Sequence, residues 1–288
     1  MPRPRDEQRT RITSPIAATE DLSNRAGIAL SLRKGAVRLG PGLVVEESRI
    51  RRLAELAPVM ADPIGRSGRR IEYRMLNGVR EANDAHLEGH LLRYELTIMG
   101  GRPNGSEAAK TFGHVHVRPA GATFGYTEVV EVVHGEAGFL IQDLRSSPDG
   151  PISTAAWLVR ARPGDWLILP PELAHVTIDL GAGPLVFSDV IDRRAAGIYS
   201  GVAMAAGFAW YVGSDGRLRH NPRYVAVPPL IEVDAVEWSG PAAGTLYGMF
   251  RRDPDAFSWL SDPATFPSVA PALWQRVHDA IGAPGAEG

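Results

Sequence analysis

At 288 residues and 31.1 kDa the chain can bury a sizeable core, and 44% hydrophobic with 22% charged residues is ordinary for a globular protein. A formal net charge of −2, from 31 basic and 33 acidic residues, gives no bulk electrostatic reason to bind nucleic acid or a membrane. The absence of cysteine excludes disulfides, thiolate metal sites and a cysteine nucleophile.

Residues 1–26 are charged, lack the apolar core of a secretory signal, and read as a disordered tail. No apolar run approaches the roughly 18–20 residues of a membrane span, so the default compartment is the cytoplasm. From Gly27 the runs GIALSL, GAVRLG and GLVV read as short strands. Ser48 as a cap predicts a helix through about Met60, with Ile50, Leu53, Leu56 and Val59 on one face and Asp62-Pro63 ending it. Strands follow from Ile71: IEYRML, LLRYELTIM, TFGHVHVRP, TEVVEVVHG, EAGFLIQDL, STAAWLVRA, GDWLILPP, HVTIDLG and PLVFSDVI. Many short strands with Gly, Pro or Asp at the junctions imply an all-β sandwich or barrel. FAWYVGSDGRLRH reads as a hairpin turning at Ser214-Asp215-Gly216. The texture changes after Pro228, and PALWQRVHDAIGA reads as a closing helix with Leu273, Trp274, Val277 and Ile281 on one face. The expected organisation is a tail at 1–26, a barrel domain at 27–224, and a partly helical extension at 225–288 packed on the barrel.

The chemistry gathers in three segments. His114 and His116 lie two apart, so on a strand both imidazoles point to one face. In Glu128-Val-Val-Glu-Val-Val-His-Gly135, Glu128 is in phase with Val130 and Val132, while Glu131 and Val133 take the other face, where a carboxylate would be solvated or paired. A carboxylate buried among valines needs a cation, and a metal ion provides one. In the third segment Gly164 leads a strand that Pro170 and Pro171 end, and His175 opens the next strand. His114, His116, Glu128 and His175 would thus bind one divalent ion and leave coordination positions open for substrate. Mn and Fe suit this donor set best, with Zn and Ni also compatible.

These motifs resemble those of the cupin superfamily, HxH…E-x6-G and G-x5-P-x4-H-x3-N, with a longer loop between His116 and Glu128 and with Asp179 in place of the last Asn. The resemblance implies a cupin β-barrel, that is, a double-stranded β-helix or jelly roll, flanked by N-terminal strands and a helix. Within that superfamily the stretch from Gly27 to Tyr224 is similar to the cupin-type glucose-6-phosphate isomerases. The passages that carry this are SRIRRLAELAPVMADP, Thr97 to His116, LPPELAHVTIDLGAGPLVFSDVI, and AAGIYSGVAMAAGFAWYVGSDGRLRHNPRY. The resemblance makes the three histidines and Glu128 the metal ligands. It places Tyr73, Thr97, Thr111 and the backbone of Gly113 on a substrate phosphate, with Tyr199 near the pocket. Hydroxyls and a backbone N–H are suitable neutral donors to phosphate. It further implies a homodimer acting on a small phosphorylated sugar.

Three positions depart from the family. Val130 stands where an aromatic is usual, Ile191 replaces a pocket tyrosine, and Gly197 replaces a histidine. The expected activity is metal-dependent aldose–ketose isomerisation of glucose 6-phosphate and fructose 6-phosphate, with Glu128 as acid–base. An Fe(II) cupin oxygenase and a non-catalytic sugar-phosphate-binding cupin are the alternatives. The first shares the ligand set, and the three departures motivate the second.

Overall fold

The computed structural model describes residues 19–281. The expected disordered tail lies outside the described residues for 1–18. Ahead of Gly27, however, the chain is already folded. Glu20–Asp21 pairs with Leu30–Arg33, and Ser23–Ala26 forms one helical turn. Leu22 and Ala26, four residues apart on that turn, are fully buried. Two apolar side chains in a charged stretch are too few to change its average composition, which is why the boundary at 26 is late.

Ten strands build two facing sheets. They are β1 (Leu43–Arg52), β2 (Ile71–Glu81), β3 (Leu92–Met99), β4 (Glu128–His134), β5 (Ala137–Gln142), β6 (Ala156–Ala161), β7 (Trp166–Leu169), β8 (Ala174–Asp179), β9 (Leu185–Asp192) and β10 (Leu230–Asp234). The six-stranded sheet runs β7-β4-β9-β3-β2-β1 and the four-stranded sheet β8-β5-β6-β10. Every pair is antiparallel except β6 with β10. This is the expected cupin barrel. Val130, Val132, Phe187 and Leu169 from the larger sheet meet Phe139, Ile141, Trp157 and Val176 from the smaller one in its core.

The helix expected from Ser48 to Met60 does not form. Residues through Arg52 extend β1 in register with β2, and Leu53–Val59 is a 3₁₀ helix. Leu53, Leu56 and Val59 repeat every three residues and are all fully buried. That period is the one a 3₁₀ helix eclipses, rather than the 3.6 of an α-helix. The closing helix forms at Pro271–Ile281 and buries Leu273 and Val277.

The outer face of the six-stranded sheet is covered as well. Val129, Val133, Leu96, Val186 and Val190 pack there against Leu22 and Ile28, and against Leu246, Tyr247, Phe250, Phe257 and Leu260 from the C-terminal region. Tyr94 and Tyr247 meet edge to face at 5.0 Å. Glu131 belongs to this layer and is 1% exposed, so it is paired rather than solvated. It accepts hydrogen bonds from the Leu246 backbone N–H at 2.9 Å and from Trp166 Nε1 at 3.3 Å. Among the described residues no helix is long and apolar enough to cross a membrane.

Candidate metal centre and substrate cavity

The four expected ligands come from separate elements that the two sheets bring together. Val115–His116 is a two-residue strand paired with Gly197–Ile198. His114, just before it, exchanges both backbone hydrogen bonds with His175 on β8, at 3.0 and 2.9 Å. Glu128 opens β4 on the opposite sheet, in register with Leu169 of β7. The nitrogens that His114, His116 and His175 offer lie within 4.8 Å of one another. Glu128 Oε2 lies 3.2 Å from His116 Nε2. The loop between His116 and Glu128, longer than the motif requires, folds back on this group. Tyr126 from that loop presents its carbonyl 3.1 Å from His116 Nδ1, and Glu172 accepts from the Gly125 N–H at 2.6 Å.

The donor chemistry fits a metal ion. The Leu173 carbonyl sits 3.3 Å from His175 Nδ1, as Tyr126 does for His116. Each of these contacts keeps the proton on Nδ1 and leaves the Nε2 lone pair for a cation. His175 Nε2 is buried with no hydrogen-bond partner among the described residues, the orphaned acceptor that an ion would satisfy. Burial, followed by the neighbouring His116, lowers the His175 pKa to about 4. Burial also lowers His114 well below its ordinary value, with His175 and His116 adding to it. Both imidazoles are therefore neutral, as ligation requires.

The group opens into a cavity of about 390 Å³, lined on one side by Tyr73, Thr97, Thr111, Phe112, Gly113 and Thr177. Every position expected to hold phosphate is here. Thr111 Oγ1 accepts from the Thr177 N–H at 3.0 Å, so its own proton is free to donate. The Tyr73 hydroxyl accepts from the Phe112 N–H at 3.4 Å, and burial pushes its pKa up to about 12, which keeps it a donor. Gly113 has φ +79°, and a Cβ there would sit 2.4 Å from the Phe208 ring, so the close backbone turn requires glycine. Tyr199 stands at the cavity wall, 5.3 Å from the rings of both Phe112 and His114. Gly197 backs the same ring, because a Cβ there would fall 2.7 Å from His114 Cδ2.

The cavity also holds groups that the motifs did not reveal: Arg49, Asn77, Arg93, Glu95, Asp189 and Arg193. Glu95 and Asp189 lie directly opposite each other on β3 and β9. Burial, above all, raises Glu95 to about 7 and Asp189 well above the carboxylate range, and nearby Glu128 adds to both shifts. The signal was present in the alternation. Arg93, Glu95 and Thr97 share one face of β3, and Asp189 is in phase with Phe187 and Ile191 on β9.

The match to known proteins agrees with this geometry. The family model described as glucose-6-phosphate isomerase matches residues 50–228, which spans all four ligands and every cavity position but Arg49. The chain belongs to the glucose-6-phosphate isomerase family. A glucose-6-phosphate isomerase of Thermococcus kodakarensis is 25% identical over 200 residues, covering 69% of this chain and 95% of the relative. The Thermococcus onnurineus glucose-6-phosphate isomerase is also 25% identical, over 203 residues, covering 69% of this chain and 96% of the relative. That of Pyrococcus furiosus is 27% identical over 135 residues, covering 46% of this chain and 65% of the relative. The enzyme class that follows from glucose-6-phosphate isomerase membership is isomerase.

Proposed function

We propose that the protein is a metal-dependent aldose–ketose isomerase that interconverts glucose 6-phosphate and fructose 6-phosphate. The observation that carries this is one cavity holding both a three-histidine, one-glutamate group and a wall of hydroxyl donors, Tyr73, Thr97, Thr111 and Thr177. The donors fit a phosphate at one end of a sugar, with the Gly113 backbone beside them. The nitrogen and carboxylate ligands fit a divalent ion, Mn or Fe(II) in preference, at the carbonyl end. When bound, that ion supplies Lewis-acid polarisation of the sugar carbonyl.

The remaining steps belong to the chain. Tyr73, Thr97 and Thr111 hold the phosphate and so fix the distance of C1 and C2 from Glu128. Glu128 takes the C2 proton of the open-chain aldose, the C2–H electron pair forms the C1=C2 bond of an enediol as the carbonyl pair moves to O1, and the O2 proton passes to O1. Glu128 then returns the proton to C1 to give the ketose. Burial of Glu128 at 9% exposure keeps bulk water from exchanging that proton freely. Tyr199 at the wall orients the sugar against the His114 side. The partner in solution is a second copy of the chain, and the compartment is the cytoplasm.

A coupled isomerase assay on metal-loaded protein tests the reading. Turnover of glucose 6-phosphate is expected, with loss on EDTA treatment and recovery on adding Mn or Fe(II). Activity that survives verified metal removal would refute the metal dependence. Binding without turnover would mark a sensor, and oxygen consumption an oxygenase.

A further inference from the structure

The inward face of the six-stranded sheet is layered. One row across it reads Val132, Phe187, Thr97 and Met75, at the level of the phosphate donors. The adjacent row, nearer Glu128, reads Val130, Asp189, Glu95 and Asn77. Three consecutive strands thus present two carboxylates and an amide at one level of the cavity wall. Asp189 is 5% exposed. Asn77 is 6% exposed, its Nδ2 is turned to Glu47, and its Oδ1 has no partner.

Each nearby cation is paired with a carboxylate other than Asp189. Arg93 pairs with Glu95, Arg193 with Glu46, and Arg49 with Glu47. Two carboxyls directly opposite each other on paired strands resist ionising together, and burial holds Asp189 well above the carboxylate range. Asp189 pairs with Val130 across β9 and β4, and it lines the cavity together with Ile191.

We propose that Asp189, supported by Glu95, is a specificity-determining residue that accepts hydrogen bonds from the hydroxyl groups at C3 and C4 of the bound sugar. This rests on the isomerase reading, since it needs the phosphate at the threonine wall and the carbonyl end at the histidines. The row lies between those two ends, where the middle carbons of a hexose 6-phosphate fall. The wall supplies acceptors, and a polyol supplies donors. A hydroxyl also serves whether a carboxyl is ionised or protonated, because it both donates and accepts.

The test compares glucose 6-phosphate with its 3-deoxy and 4-deoxy analogues in wild type, Asp189→Asn and Glu95→Gln. Asp189→Asn is expected to raise KM for glucose 6-phosphate by about 5- to 10-fold, the worth of a hydrogen bond to a neutral buried group. Against the analogue lacking the hydroxyl that Asp189 reads, wild type and variant should differ less than about three-fold. Metal content should be unchanged, and the ligand-free variant should melt at about the same temperature, because a neutral amide replaces a buried carboxyl of the same size. A merely structural role would instead lower Tm and affect all three sugars alike. An unaltered preference among the three sugars in both variants, with wild type active, would overturn this proposal alone. If wild type shows neither turnover nor a Tm shift with glucose 6-phosphate, the isomerase reading falls and this proposal falls with it.

Discussion

Glu128 illustrates how one side chain carries two demands. As a proposed ligand it would complete the three-histidine group from the opposite sheet. As the proposed base it would have to reach the C2 proton of a sugar held at the same place. Glu128→Gln keeps the size and one carbonyl donor but loses the charge and the proton-accepting capacity. Because three histidines remain, the variant should retain at least part of its metal while turnover falls by about 10²–10⁴-fold. Metal analysis and kcat on the purified variant check this, and near-normal turnover at full metal occupancy would remove Glu128 as the base. The residue was legible because an acid in phase with Val130 and Val132 demands a cation. The same phase argument applies to Asp189, between Phe187 and Ile191, and to Glu95, beside Thr97. It went unused there because no histidine motif drew attention to those strands. Arg49 was hidden for a different reason: it was read on a helix, and only the strand pairing of β1 turns it toward the cavity.

Strand β4 shows the same economy at the level of an element. Its inner face gives Glu128 to the site and valines to the barrel core. Its outer face gives Val129 and Val133 to the second core and Glu131 to the chain entering the Leu246–Arg252 helix. The alternation that separates these faces was readable, but the burial of Glu131 was not, because the cover comes from residues more than a hundred positions away. Burial raises the Glu131 pKa from 4.5 to about 7. A carboxyl whose folded pKa is raised contributes stability that is fully present below about pH 4.5 and is lost as the pH rises through about 7. Glu131→Gln cannot titrate. Relative to wild type, it should therefore gain on the order of 1–3 kcal/mol between pH 5.5 and 8.5. Urea unfolding of both proteins at the two pH values is the measurement, and parallel stabilities across that range would contradict the assignment. The Leu53–Val59 segment carries a related lesson. Its apolar spacing was visible, but a repeat of three was read as a loose α-helix rather than as the 3₁₀ turn it describes, and that shifted Ser48 to Arg52 out of β1.

For the whole molecule, the strand succession and the ligand motifs made the barrel readable, whereas the way the C-terminal region uses both of its sides was not. One part of that region, β10, lies parallel to β6, with Arg160 and Glu232 paired across it. Without β10, β6 would end the smaller sheet with a row of open amides and carbonyls along Ala156–Ala161, flanked by Trp157 and Val159. Such a row is a template for a strand from another molecule. Glu232→Pro removes a backbone N–H and the charge pair from β10 while leaving the barrel sequence untouched. The variant should form species larger than wild type that grow with concentration in light scattering, and an unchanged size at all concentrations would show that β10 has no such role. In this sense the C-terminal strand would act as a built-in guard against self-assembly, keeping the sheet that carries His175 from recruiting its neighbours into fibres.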